Sequence, residues 1–182
     1  TAEGGVGGVA GPDTRLDLDI AVQNLSVLNR DIVNSESDVI ITNIGRLVNR
    51  GVTNSDGGDI SIWANSPMDI TGDQIVYGGS GEIDLQATED GGDDDSITIF
   101  DSVLIQTEDG DITLTAGQDI TVDTNAVVTV KAEGQGSISF QADVIDGDDG
   151  QGQIDLVDGT SSVLLQTSGS GDIDLDADGS IE

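Results

Sequence analysis

Acidic residues gather beside glycine in three short segments of the chain, and these residues are the ones best suited to bind a cation. The carboxylates concerned are Asp90, Asp93, Asp94, Asp95, Asp146, Asp148, Asp149, Asp176 and Asp178. Because Ca²⁺ takes about six to eight oxygen ligands in a flexible geometry, such closely spaced carboxylates predict a calcium site. The alternative interpretation is a solvated acidic surface that holds no metal.

Two known calcium-binding motifs match this chain only in part. The segment GGSGEIDLQ, from Gly78 to Gln86, is close to a calcium-binding nonapeptide, but Ile83 stands at the position of the ligand Asp. Residues 176–179 reproduce only a fragment of the EF-hand loop. The calcium prediction therefore depends on the density of carboxylates rather than on a complete motif.

Paired carboxylates can also hydrolyse a glycosidic bond, so a carbohydrate-active β-helical enzyme is another alternative. The composition opposes it, because the chain has no His, no Cys and only four aromatic residues that could hold a sugar. The lack of His and Cys also excludes serine–histidine triads, thiolate catalysis and the usual zinc sites. We therefore predict that the protein is not an enzyme, with no catalytic residue and no cofactor other than Ca²⁺.

The charge of the chain is strongly acidic and unevenly distributed. The net charge is −31; residues 1–50 hold four Arg against seven acidic residues, whereas residues 51–182 hold Lys131 against 29 acidic residues. Such a surface repels phosphate groups, so neither nucleic acid nor an anionic membrane is an expected partner. No apolar run exceeds three residues, so no segment is expected to span a membrane.

A short phrase recurs along the chain: a glycine, a polar residue, an apolar residue, a second polar residue and a second apolar residue. It reads GDISI at Gly58, GEIDL at Gly81, GDITL at Gly110, GSISF at Gly136, GQIDL at Gly152 and GDIDL at Gly171. A longer phrase, SVLIQT at Ser102, returns as SVLLQT at Ser162. The alternation predicts half-buried strands, and recurrence at this scale indicates a solenoid.

The fold predicted from these repeats is all-β: a single-stranded parallel β-helix over residues 16–182, after a flexible Gly-rich lead or inter-subunit connector over residues 1–15. With about 20 residues per coil, the helix would hold roughly 8 coils. Evenly spaced short strands would also fit a β-sandwich. The β-helix is favoured because the segments resemble one another and an isoleucine stands two positions after each turn glycine. This fold places these isoleucines inward: Ile60, Ile83, Ile112, Ile138, Ile154 and Ile173.

Two segments resemble the repeats of filamentous-haemagglutinin-type proteins: GDITLTAGQDITV, from Gly110 to Val122, and GDISIWANSPMDI, from Gly58 to Ile70. The segment DVIITN at residues 38–43 resembles a coil that often precedes such repeats. These are giant bacterial proteins that are secreted or displayed on the cell surface. The resemblance implies a right-handed parallel β-helix, an extracellular or cell-surface location, and a role in adhesion or fibre building.

The apolar pattern continues to the last residues, Ile173, Leu175 and Ile181, without a capping helix. Because an uncapped coil stack exposes strand edges that attract other strands, we expect a homo-oligomer or filament formed by end-to-end stacking. The less acidic N-terminal end would favour contact with the acidic C-terminal end. The leading hypothesis is thus a non-enzymatic structural protein, and the alternative is an adhesin module that binds glycans or proteins through one face of the solenoid.

The calcium prediction can be tested by thermal unfolding. Carboxylates stacked about 4.8 Å apart in adjacent coils repel one another, and a bridging cation would relieve that repulsion. We expect a chelator to lower the melting temperature, and millimolar Ca²⁺ to restore it better than NaCl of equal ionic strength. Equal unfolding curves in the two salts would leave only the solvated acidic surface.

Overall fold

The structure, a computed structural model, describes residues 16–30, 38–55, 57–88, 95–143, 152–157 and 159–182. In these ranges the chain forms seventeen β-strands and no helix, so none that could cross a membrane. The strands are β1 (Leu16–Ile20), β2 (Asn24–Asn29), β3 (Val39–Asn43), β4 (Leu47–Asn54), β5 (Ile60–Ala64), β6 (Met68–Ile70), β7 (Gln74–Val76), β8 (Ile83–Ala87), β9 (Ile97–Ile99), β10 (Leu104–Thr107), β11 (Ile112–Ala116), β12 (Ile120–Val122), β13 (Val127–Ala132), β14 (Ile138–Ala142), β15 (Ile154–Asp155), β16 (Ser162–Thr167) and β17 (Ile173–Ala177).

The strands form two sheets in which neighbouring strands pair in parallel. Sheet 1 has seven strands in the order β1-β3-β5-β8-β11-β14-β17, and sheet 2 has ten strands, with β15 at one end and β16 at the other. Parallel pairing between strands far apart in sequence is typical of a solenoid, whereas a β-sandwich is built from antiparallel strands. The predicted all-β, parallel, solenoid-like fold is therefore confirmed.

The chain returns to sheet 1 once per coil, a coil being the circuit from one strand of sheet 1 to the next. From β5 onwards two strands of sheet 2 lie between successive strands of sheet 1, as β6 and β7 do between β5 and β8, whereas each of the first two coils has one, β2 or β4. Equivalent residues of sheet 1 lie 21 to 35 residues apart, more than the roughly 20 residues per coil expected from the repeats. The described part of sheet 1 holds seven strands, and the predicted handedness and coil number stay predictions.

In-register pairing places equivalent residues of successive coils in columns about 4.8 Å apart. One column contains four of the residues predicted to point inward, all buried: Ile60, Ile83, Ile112 and Ile138. Ile173 continues this column but is 45% exposed, because no strand of the described residues covers its far side. Ile154 is also buried, but it lies in sheet 2 beside Ile120, so the phrase at Gly152 is not equivalent to the others.

The glycine that opens the repeat phrase is required by the close approach of successive coils. A Cβ atom on Gly110 would lie 2.1 Å from the carbonyl oxygen of Gly81, and one on Gly136 would lie 2.1 Å from the carbonyl oxygen of Gly110. Only a residue without a side chain allows the backbone to pass this close. The recurrent glycine is thus a packing requirement of the stack.

Substitution of this glycine should cost far more than substitution of a glycine in open space. We expect Gly110→Ala to lower the free energy of unfolding by about 3 kcal/mol or more, because backbone atoms of two coils must move apart. Gly45 is a matched control, since its φ of +88° strains an alanine but no atom lies within 4 Å of the added Cβ. Gly45→Ala should cost about 1 kcal/mol. Urea unfolding measures both, and equal losses would contradict the packing argument.

Candidate functional site

Acidic side chains at the corners of the coils join adjacent coils through hydrogen bonds to the backbone. In each case a carboxylate oxygen accepts the backbone N–H of a residue 21 to 34 positions later, at 2.7 to 3.1 Å. The carboxylates are those of Asp38, Asp59, Asp73, Asp101, Asp109, Asp111 and Asp119. Many of the acidic residues therefore satisfy backbone donors in the turns of the next coil.

One set of corner residues, each directly before a strand of sheet 1, includes three of these carboxylates. We name it the corner ladder: Asp38, Asp59, Glu82, Asp111, Ser137 and Asp172. Asp111 Oδ1 accepts the N–H of Ser137 at 2.7 Å, and Ser137 Oγ in turn accepts the N–H of Asp172 at 3.2 Å. Because a serine takes one place in the ladder, the acceptor oxygen rather than the negative charge is what the position needs.

The corner ladder concentrates negative charge, and the titration of Glu82 reflects this. Burial raises the pKa of Glu82 above its ordinary value of 4.5, and the carboxylates of Asp59, Asp111 and Asp84 raise this pKa further. The carboxylate of Asp101 shows the opposite effect. Hydrogen bonds from the N–H of Val127 and from Ser102 stabilise its charged form and hold the pKa of Asp101 below 3.8.

The structure does not bring the described members of the predicted calcium site together. Asp95 is 2% exposed and lies before β9, next to Gly117. Asp176 and Asp178 are exposed and lie on and after β17, the end strand of sheet 1, whereas β9 belongs to sheet 2. The other predicted ligands lie outside the described residues: Asp90, Asp93, Asp94, Asp146, Asp148 and Asp149.

No group of three or more acidic or His side chains within the described ranges has the geometry to hold a metal ion. The described carboxylates that stack most regularly accept backbone N–H bonds instead. The acidic segments at 89–94 and 144–151 lie outside the described residues. The calcium site stays a prediction.

Buried amide side chains hold the turns of the first coils, and the sequence analysis did not identify them. Asn49 and Gln74 are fully buried, and Asn49 Nδ2 donates to Gln74 Oε1 at 3.0 Å. Asn54 is also fully buried, and its Nδ2 donates to the carbonyl oxygen of Gly58 at 2.8 Å. For Asn54 the signal in the sequence is the recurrence of Asn at strand ends, as at Asn29 and Asn43, whereas Asn49 and Gln74 lie within or at the start of a strand and carry no such signal.

The last coil exposes side chains whose equivalents face the core in the preceding coil, and we name this surface the open end: Val163, Leu165, Ile173, Leu175, Ala177 and Ile181. Ile181 is 49% exposed, whereas Ile154, its bridge partner in the preceding coil, is fully buried. Strand β17 pairs with β14 alone, so one edge of β17 has no strand partner among the described residues. Apolar side chains and an unpaired strand edge thus occur together at this end.

Comparison with known proteins identifies no family for this chain. The chain matches no family model, no curated protein and no solved structure. The resemblance of residues 58–70 and 110–122 to filamentous-haemagglutinin-type repeats therefore stays a prediction.

The corner ladder can be tested at Asp111 with two substitutions. Asp111→Ala removes the acceptor of the Ser137 N–H and should lower the free energy of unfolding by about 1 kcal/mol. Asp111→Asn keeps an acceptor oxygen and removes a charge near Glu82, so it should be as stable as the natural protein or slightly more stable. Urea unfolding at neutral pH gives both values. If Asn cost as much as Ala, the charge rather than the hydrogen bond would be the stabilising feature.

The two shifted carboxylates predict opposite dependences of stability on pH. The pKa of Glu82 is higher in the folded than in the unfolded state, so its charged form destabilises the fold above that pKa, and the effect disappears as pH falls below 4.5. Glu82→Gln should therefore raise the free energy of unfolding at pH 7, by less than about 1 kcal/mol because the group is solvent-screened. The two proteins should converge at about pH 4.

Asp101→Asn provides the comparison of opposite sign. The pKa of Asp101 is lowered on folding, so its contribution to stability is present above 3.8 and is lost as pH falls through the folded value. This variant should therefore be less stable than the natural protein at pH 7, and the difference should shrink in acid. A destabilised Glu82→Gln variant or a stabilised Asp101→Asn variant at pH 7 would contradict the corresponding pKa assignment.

Proposed function

We propose that this chain is a non-enzymatic structural protein, a right-handed β-helical protomer or segment of an extracellular bacterial fibre or surface filament. The observation that carries the proposal is the open end. Ile173 and Ile181 are about half exposed, whereas the residues beneath them in the same columns are fully buried. Covering this surface would remove apolar area from water and would pair a free strand edge.

A second copy of the chain is the occupant that fits the open end best. The column that ends at Ile173 begins at Leu16, and the column that ends at Leu175 begins at Leu18, with apolar residues at every position between them. Stacking β17 of one copy against β1 of the next would continue both columns without a change of residue type. A contact that repeats in this head-to-tail way does not close on itself and builds a filament.

The extracellular location belongs to the same proposal and is supported by the resemblance described above. Fibre repeats of that type work through shape and surface rather than through a pocket. The Gly-rich residues 1–15 would serve as the connector between copies, since such composition gives a flexible chain.

An adhesin module is the second candidate, and Trp63 is the observation that favours it. Trp63 lies on the outer face of sheet 1, 44% exposed, in a column between Thr42 and Gln86. An exposed indole flanked by polar side chains can hold an apolar ligand face and a hydrogen-bonding group together. End-to-end order in the absence of any ligand distinguishes the fibre from the adhesin.

Neutral substitutions at the open end test the stacking without altering net charge. In about 0.5 M NaCl, in which surface charges are screened, we expect rods longer than one protomer by sedimentation velocity and negative-stain microscopy. Ile173→Gln with Leu175→Gln should weaken association on the order of tenfold or more, because their apolar burial at the joint is lost.

The control substitutes two exposed apolar residues of the middle coils. Tyr77 and Val127 are 44% and 58% exposed, and Tyr77→Gln with Val127→Gln should leave rod formation unchanged. Side-by-side dimers, monomers at every concentration, or equal effects of the two double variants would each contradict head-to-tail stacking.

A further inference from the structure

The outer face of sheet 1 is almost free of charge, although the chain as a whole carries a net charge of −31. In β3, β5, β8, β11 and β14 the first, third and fifth residues are buried, so by alternation the second and fourth residues face outward. These five strands read VIITN, ISIWA, IDLQA, ITLTA and ISFQA, and we name their second and fourth residues the neutral strip. Asp84 is the only charged residue in the strip.

The register of sheet 1 arranges the neutral strip as two straight columns, with one side chain about every 4.8 Å in each column. From β5 to β14 the columns contain only Ser, Thr and Gln besides Trp63 and Asp84. Hydroxyl and amide side chains can both donate and accept hydrogen bonds. The strip is therefore a grid of neutral groups that can bond to a ligand rich in hydroxyl groups.

Hydrogen bonds between the two columns hold the glutamines of the strip in place. Gln86 Nε2 donates to Asp84 Oδ2 at 2.8 Å, and Gln141 Nε2 donates to Ser139 Oγ at 3.3 Å. Asp84 Oδ1 is shielded from water and has no donor among the described residues, whereas the Asp84 residue as a whole is only part-buried. Such an acceptor costs free energy until a donor reaches it, and a ligand hydroxyl above the sheet could supply one.

Trp63 provides the one aromatic surface of the strip. Its indole is exposed and lies in its column between Thr42 and Gln86. An indole face can pack against the C–H face of a sugar ring, and the neighbouring hydroxyl and amide groups lie one strand spacing away on either side. Apolar and hydrogen-bonding contacts to a single sugar are thus available at this position.

The composition of the strip favours one class of ligand. A polyanion would be repelled by the net charge of the protein, and a polycation would find only one charged residue on the strip. A stable protein interface buries about 800 Å² on each partner around an apolar core, and the only apolar residues of the strip are Ile40 and Trp63. An uncharged chain of sugars matches both the hydrogen-bonding groups and the lack of charge.

We propose that the neutral strip binds an uncharged polysaccharide with an extended, β-linked backbone. One sugar ring packs on Trp63 and its hydroxyls bond to Thr42 and Gln86, while the chain crosses the strands towards β14 and meets a new polar side chain about every 4.8 Å. The inference rests on the adhesin function given above as the second candidate and names its ligand class. It does not depend on head-to-tail stacking.

Affinity electrophoresis tests the binding with the full chain. The net charge of −31 drives the protein through a native gel, and soluble mixed-linkage β-glucan cast into the gel should retard it. Trp63→Ala should weaken the affinity on the order of tenfold or more, and Gln86→Ala about threefold. Tyr77→Ala is the matched control, because Tyr77 follows β7 of sheet 2 and is 44% exposed, as Trp63 is. This variant should be retarded as much as the natural protein.

Two further measurements report on the site and on the ligand class. Trp63 is the only Trp of the chain, so a shift of the indole emission on titration with β-glucan reports contact at the strip itself. Carboxymethylated β-glucan has the same backbone with negative charges and should retard the protein less. Retardation by the uncharged β-glucan should not change between about 0.05 M and 0.5 M NaCl, because no ion pair contributes to it. Circular dichroism of each variant checks that the β-fold is retained.

The outcomes separate the ligand class from the functions proposed above. Retardation that Trp63→Ala and Gln86→Ala leave unchanged would overturn the strip as the site and leave a glycan-binding adhesin standing. Stronger retardation by the carboxymethylated form would overturn the uncharged class alone. If β-glucan neither retarded the natural protein nor shifted its indole emission, the inference would be wrong, and rod formation would still decide the fibre proposal independently.

Discussion

The distance between successive coils is the constraint on which the rest of this structure depends. Parallel strands fix that distance at about 4.8 Å, and the chain must repeat it at every corner as well as in the strands. At the corner before sheet 1 the backbones approach so closely that Gly110 faces the carbonyl oxygen of Gly81 with no room for a side chain. The glycine leaves room for the neighbouring backbone, the acceptor after it bonds the next coil, and the apolar residue that follows stacks in a buried column. All three features depend on this one spacing.

The same spacing gives the acidic residues a structural meaning that differs from metal binding. A turn exposes backbone N–H groups that no strand partner reaches, and a carboxylate one coil away can accept them. A hydrogen bond of this kind is worth about 1 kcal/mol, and like charges in one column offset part of that gain. The raised pKa of Glu82 and the lowered pKa of Asp101 show the two sides of this balance.

The strands of this fold could be predicted from the sequence because apolar and polar residues alternate along them. Ile60, Ile83, Ile112 and Ile138 are buried as expected, since each follows a corner glycine. The place of Ile154 in sheet 2 could not be predicted, because GQIDL has the same pattern as the phrases GEIDL and GDIDL that belong to sheet 1.

The candidate site was less predictable than the fold. The carboxylate–amide bonds of the corners join residues 21 to 34 positions apart, and no local pattern reveals which coil lies next to which. Asn49 and Gln74 escaped notice for the same reason, since their bond depends on the register of two coils. Sequence reasoning grouped acids that are close in the chain, whereas the structure groups those that are close in the stack.

The carboxylate–amide hydrogen bonds of the corners also have a direction. In all seven carboxylate–amide pairs the acceptor belongs to the earlier coil and the N–H donor to the later one. Each of these carboxylates therefore holds a backbone N–H group of the coil that follows it in the chain, and none of the seven bonds runs in the other direction. Loss of one such carboxylate therefore leaves a backbone N–H group of the later coil without this acceptor, whereas the coil that carries the carboxylate loses none of its own N–H acceptors.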